Sequence, residues 1–136
     1  LYVSGRHRNT SRLWPAWLRT AWSDRVTIWA GWSEVFLGGA RPDALAWGLL
    51  DGCETIFWLE VESGNRSKAE IARKAIRSIN KAIRYVESFS GLDLVVAFLG
   101  PPWVIEGIRV GLHNLPVRVG VVLGSWTDFG MLSEQV

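Results

Sequence analysis

The alternation of apolar and polar positions divides the chain into a strand-rich first half and a helix–strand second half. Residues 26 to 37 (VTIWAGWSEVFL) are dense in β-branched and aromatic types and read as strand. Residues 43 to 50 (DALAWGLL) and 55 to 62 (TIFWLEVE) read as two further strands. Asp51-Gly52 between them is a dipeptide suited to a tight hairpin turn. Ser67 followed by Glu70 is a capping box. After it, Ala72, Ile76, Ile79, Ile83 and Val86 recur at helical spacing, and Gly91 supplies a stop. Residues 92 to 100 (LDLVVAFLG) form a short apolar run of the kind a buried strand requires. Pro101-Pro102 then opens a helix over about 103 to 114, and 117 to 124 (VRVGVVLG) reads as a last buried strand. Upstream, 13 to 22 (LWPAWLRTAW) predicts a short helix with Pro15 in its first turn and Trp14, Trp17 and Trp22 as core.

The order is thus hairpin, helix, strand, helix, strand. A strand–helix–strand unit implies a parallel pair joined by a right-handed crossover. The expected class is α/β, or α+β, with a mixed central sheet flanked by helices. The expected division is a basic N-terminal segment or linker over 1–25 and a single domain over 26–136.

Composition adds few constraints and excludes some classes. With 136 residues, 49% hydrophobic and 21% charged, the chain can bury one core without staples. A single cysteine, Cys53, excludes an internal disulfide. No apolar run reaches the roughly 18 residues of a membrane span, and no signal-peptide pattern opens the chain. The first residue is Leu, which suits a fragment of a longer protein.

Charge changes the picture more. The net value is only +2, yet the signs are segregated. Asp24 to Glu62 holds seven acids and two bases, and Arg66 to Arg84 holds seven bases and one acid. Such a division fits a site that binds cations and also holds a polyanion, although ordinary solvated faces produce it too.

The acids have a geometric reading. Glu60 and Glu62 share a strand face. If Asp51-Gly52 is a two-residue loop, Leu50 pairs with Cys53 and Asp43 falls opposite Glu60, with Cβ atoms about 4.5–5.5 Å apart. A four-residue loop sets Asp43 against Glu62 instead, and a three-residue loop spoils the cluster. Like charges so opposed are destabilising unless a cation neutralises them or water screens them. Three hard oxygen donors suit Mg²⁺ or Mn²⁺. The bland alternative is a solvated sheet face, which Ile56 and Trp58 on the same face make less natural.

Arg41-Pro42-Asp43-Ala44 followed by Phe57-Trp58-Leu59-Glu60-Val61-Glu62 resembles the PD-(D/E)XK nuclease signature: Pro-Asp, a gap, an acid, any residue and usually lysine. The likeness spans roughly residues 26 to 124. Trp32-Ser33-Glu34, RPDA and the FWLEVESG stretch before a basic helix look, more narrowly, like the replication-relaxation proteins of plasmids and mobile elements. The resemblance implies a restriction-endonuclease-like fold and metal-dependent hydrolysis of DNA in a prokaryotic cytoplasm. It also implies a winged-helix domain upstream of this chain, and a homodimer is open. By resemblance, Asp43 and Glu60 are the main metal ligands, Glu62 lies with them, and Glu34 is an additional upstream acid. Arg66, Lys68, Arg73, Lys74, Arg77 and Lys81 would contact phosphates. The sequence departs from the signature at Glu62, where the family carries lysine. A lysine from the following helix, Lys74 or Lys81, is a candidate for that role, and the departure also allows a domain that binds DNA without cutting. In the helical projection both lysines fall roughly opposite the apolar stripe, which argues for solvent or DNA contact.

Other features carry less. His7 and His113 lack metal-ligand spacing, Cys53 has no histidine near it in sequence, and Ser63-Gly64-Asn65 fits no P-loop. Gly38-Gly39 and Gly107/Gly111 form no dinucleotide fingerprint. Of nine tryptophans, Trp58 is the best base-stacking candidate because it shares a face with the acids. A small-molecule site on an unrelated α/β domain is the weakest reading, and a wide separation of Asp43 and Glu60 would favour it.

Overall fold

The computed structural model describes Trp14, Arg19, residues 24–62, 64 and 66–113, and the backbone of 120–125. Its five strands are β1 (Val26–Ser33), β2 (Ala44–Leu50), β3 (Cys53–Val61), β4 (Asp93–Gly100) and β5 (Gly120–Ser125). Helix α1 (Lys68–Glu87) joins β3 to β4, and helix α2 (Pro102–Leu112) joins β4 to β5. The sheet is mixed and runs in sequence order: β1, β2 and β3 are antiparallel neighbours, while β3, β4 and β5 are parallel. The expected mixed α/β class is what the chain forms. None of the described helices is long and apolar enough to cross a membrane.

The β2–β3 hairpin closes as the two-residue loop requires. Leu50 pairs with Cys53, and Asp51 and Gly52 both have positive φ, 50° and 81°. That is the type I′ pattern, which glycine adopts freely and aspartate tolerates. Arg25 pins the turn with two hydrogen bonds to the Asp51 carboxylate, at 3.0 and 2.8 Å, and these hold the carboxyl below its ordinary range.

Helix α1 begins at the predicted box: Ser67 Oγ accepts from the Glu70 backbone N–H, and its hydroxyl donates to Glu70 Oε1 at 3.1 Å. Pro102 occupies the first turn of α2, where its missing N–H costs nothing. Both helices cover one face of the sheet. There Leu45, Ile56, Trp58, Leu94, Val96 and Phe98 meet Ile71, Ala75, Ile79, Ala82 and Val86 of α1 and Val104, Ile105 and Ile108 of α2. The opposite face gathers Val26, Ile28, Ala44, Phe57, Leu59 and Leu99 with Trp14.

Trp14 is fully buried in that second cluster, as its reading as core requires, and its indole N–H has no hydrogen-bond partner among the described residues. Arg19 donates to the Ile28 carbonyl at 3.2 Å. Both side chains therefore belong with the domain, although they precede the boundary drawn at residue 26. The rest of the 13–22 helix, Trp17, Trp22, His7, Ser63, Asn65 and the tail after Ser125 lie outside the described residues.

The buried side of α1 is rotated from the predicted stripe. Ile71, Ala75, Ser78 and Ala82 face the core, whereas Ala72, Ile76 and Ile83 are only partly buried. Ala72 lies against α2, close enough that a Cβ at Gly111 would strike it. The apolar periodicity of α1 thus combines a sheet-facing and a helix-facing side. The rotation moves Lys74 and Lys81 from the far side of the helix to its flank, beside the acids.

Candidate functional site

The regular β2–β3 pairing ends at Ala44–Leu59, one residue short of Asp43 and Glu60. Here the strands flare. The Asp43 N–H donates to the Leu59 carbonyl at 2.9 Å, and Asp43 Oδ2 accepts the Val61 N–H at 2.7 Å. The carboxylate thus occupies the place of a backbone carbonyl in the ladder and is held tightly by it. Asp43 is half-buried, as is Glu60 on the neighbouring strand.

Glu60 lies at the edge of the helix-covered core. Its Oε1 accepts from the Trp58 indole N–H at 3.0 Å. Burial raises its pKa from the ordinary 4.5 to about 7, and the nearby Asp43 charge adds to the rise. The Trp58 hydrogen bond and the positive charges of Lys74 and Lys81 act in the opposite direction. Two acids this close, one of them short of solvent, repel one another when both are charged, and a cation beside them relieves that repulsion.

Glu62, expected as a third metal ligand, is engaged by the helix. It is 7% exposed, and its Oε2 pairs with Lys74 Nζ at 3.1 Å. Among the described residues, no three His, Cys, Asp or Glu side chains converge on a point that could hold a metal. Glu62 is fixed by its own N–H, which donates to the Leu99 carbonyl at 2.8 Å, and by the close approach of Gly100. A Cβ on Gly100 would reach 2.4 Å from the Glu62 carbonyl oxygen. Glu60, Glu62, Lys74 and Ser78 line a narrow pocket with room for about one water molecule, closed at its back by Phe98 and Ile108.

Glu34 reaches the same place by a different route. Its N–H donates to the Asp43 carbonyl at 3.0 Å, its φ is 55°, and its side chain is exposed. It stands next to the pair without closing on it. Arg66 just before α1 and Lys68, Arg73, Arg77 and Lys81 along it are exposed, and Lys74 is partly buried at the pocket. Other acids of the charge cluster are engaged elsewhere: Asp51 with Arg25, and Glu54 with the Trp47 indole at 3.1 Å.

Trp58 does not stack on anything from outside. It is 1% exposed and packs against Tyr85. Its contribution is the indole N–H given to Glu60. The residues that sequence reasoning missed are Trp29 and Trp32, exposed on the acids' side of the sheet. Period-two alternation sends these two positions to opposite faces, and only a β-bulge unites them. His113 caps the end of α2, and Cys53 is exposed at the hairpin, neither one beside the acids. No protein-family model matches the chain, and no curated protein matches it.

Proposed function

We propose that this chain is a metal-dependent deoxyribonuclease domain of the restriction-endonuclease-like type, cutting or nicking phosphodiesters at Asp43 and Glu60. The observation that carries the reading is the pairing of these two carboxylates at the flared hairpin end, with Lys74 held beside them by Glu62. A divalent ion of the Mg²⁺ class needs only one or two carboxylates, with water and phosphate completing its shell. Asp43 and Glu60 fit that demand: they are close, they are oriented by Val61 and Trp58, and a nearby cation favours the charged form of the desolvated Glu60. When bound, such an ion supplies Lewis-acid polarisation of the phosphodiester and a more acidic water.

The chain's own residues do the rest. Lys74 brings a positive charge to the pocket mouth, held by Glu62 at the position where the resemblance leads one to expect lysine itself. The ammonium is thereby restored from the helix, one turn and a half into α1. Arg77 and Lys81 extend the positive flank along which a phosphate backbone lies. The setting that accompanies this reading is the cytoplasm of a plasmid-bearing cell, with a winged-helix domain upstream.

The second reading is a DNA-binding module that retains the fold without cutting. The Lys74–Glu62 ion pair favours it, because a neutralised lysine is a weaker partner for a developing negative charge. Cleavage of supercoiled plasmid with Mg²⁺ or Mn²⁺ separates the two. The nuclease reading predicts nicking that falls roughly a hundred-fold or more in Asp43→Asn and in Glu60→Gln. Retained DNA binding with no metal-dependent nicking in the wild type would establish the second.

A further inference from the structure

The helix-side face of the sheet is only half covered. Along β1, among the described residues, two large aromatics stand half in solvent, Trp29 at 49% and Trp32 at 51% exposure, and Phe36 in the loop beyond is 69% exposed. In an unbroken strand, positions 29 and 32 would point to opposite faces. The register between β1 and β2 shifts between Ile28 and Ala30, a bulge that changes this. Beyond it Trp32 pairs with Leu45, a helix-side residue, while Trp29 sets its ring edge-on to Trp47 at 5.1 Å and 82°. Trp47 is itself tethered through its indole to Glu54. Trp29 is thus braced against Trp47, while its surface and that of Trp32 remain open.

The two half-open tryptophans on this edge strand gain little for folding, and exposed apolar surface of this kind is the mark of a binding face. Its position says what it binds. Trp32 lies two residues from Glu34, whose backbone bonds to Asp43, so the platform starts about 7 Å along the strand from the carboxylate pair. Cations lie near its Glu34 end: Arg41 is 4.4 Å over the Phe36 ring, and Lys74 and Lys81 are near enough to act on Glu60. Open π surface beside positive charges is complementary to unpaired nucleotides, whose bases stack while their phosphates meet the cations. A paired duplex keeps its bases inside its own stack and cannot use the rings.

We infer that Trp29 and Trp32 form a base-stacking platform and that the nucleic acid taken by the Asp43–Glu60 site is single-stranded DNA. This rests on the nuclease reading for the chemistry at the acids, but not for the stacking itself. The test is fluorescence anisotropy of a labelled oligo-dT and of a duplex of equal length, with EDTA present so that nothing is cut. The wild type is compared with Trp32→Ala, Trp32→Phe, Trp29→Ala/Trp32→Ala and Asp43→Asn, each checked for fold by circular dichroism, and in a separate Mn²⁺ buffer the nicking of plasmid and of the labelled oligo-dT is followed in parallel.

The expected result is tighter binding of oligo-dT than of duplex, a roughly ten-fold or greater loss in Trp32→Ala, a further loss in the double variant, and retention in Trp32→Phe. Asp43→Asn should keep oligo-dT binding. If that pattern holds and no nicking is seen with metal, the platform stands and the nuclease reading falls. Should nicking persist while binding ignores the tryptophans or favours duplex, the platform is refuted and the nuclease remains. Tryptophan variants that change only the sedimentation of the protein would make the face a contact between copies of the chain, which also overturns the inference.

Discussion

The two halves of one sheet face are put to different uses. Over β3 and β4, helices α1 and α2 seal the surface, and Trp58, Val96 and Phe98 are almost without solvent. Along β1 the same face is open, with Trp29 and Trp32 at half exposure. Asp43 and Glu60 lie on the seam. A carboxylate pair fully under the helices could not ionise, and one fully on the open half would be screened into insignificance. The seam provides both partial desolvation, which raises Glu60, and access for a substrate.

Substitutions can break this contrast, and the largest effect belongs to the closed half. Trp58→Ala should cost about 3–5 kcal/mol in chemical denaturation, since it opens a cavity beneath α1 and removes the Glu60 hydrogen bond. The next effect is one of pH. The Glu60 pKa is about 7 in the folded protein against an ordinary 4.5, so the folded state keeps this proton after the unfolded chain has lost it. The stabilisation from Glu60 is therefore complete below pH 4.5 and is lost as pH rises through 7. That predicts a decline of up to about 3 kcal/mol across the window in metal-free buffer, and its absence in Glu60→Gln.

A smaller effect concerns the ion pair at the pocket. Lys74→Met leaves the Glu62 carboxylate nearly buried with its partner gone, at a cost of about 1–3 kcal/mol. Adding Glu62→Gln should recover most of the loss, and a double-mutant cycle measures the coupling. The open half should be the least sensitive. Trp32→Ala should change stability by about 0.5 kcal/mol or less while altering nucleic-acid binding, so a loss comparable with that of Trp58→Ala would erase the distinction between the halves.

Much of this arrangement was legible in the sequence where local chemistry decides. Asp51-Gly52 sets the turn, the turn sets the β2–β3 register, and that register puts Asp43 beside Glu60 without any knowledge of the tertiary fold. Ser67 and Glu70 likewise start α1 where the capping box requires. Features that depend on packing between distant segments were not legible. The rotation of α1 follows from sharing its apolar surface between the sheet and α2, which periodicity alone averages into one stripe. The contact between Glu62 and Lys74 depends on that same rotation. The bulge in β1 shifts the alternation at Trp29, so the grouping of Trp29, Trp32 and Glu34 with Asp43 has no signature in the pattern. Trp58 was placed on the correct face, but its burial under Tyr85 and α1 reversed the role expected of it.

The most direct test of the account is titration of Mn²⁺ into the protein at pH 6 by calorimetry in two buffers of different ionisation enthalpy. One ion per chain should bind, with release of the proton that Glu60 partly retains at that pH, and both the binding and the release should vanish in Asp43→Asn and in Glu60→Gln. Equal Mn²⁺ binding in the wild type and the two variants would contradict the account, because the cation would then be held somewhere other than the Asp43–Glu60 pair.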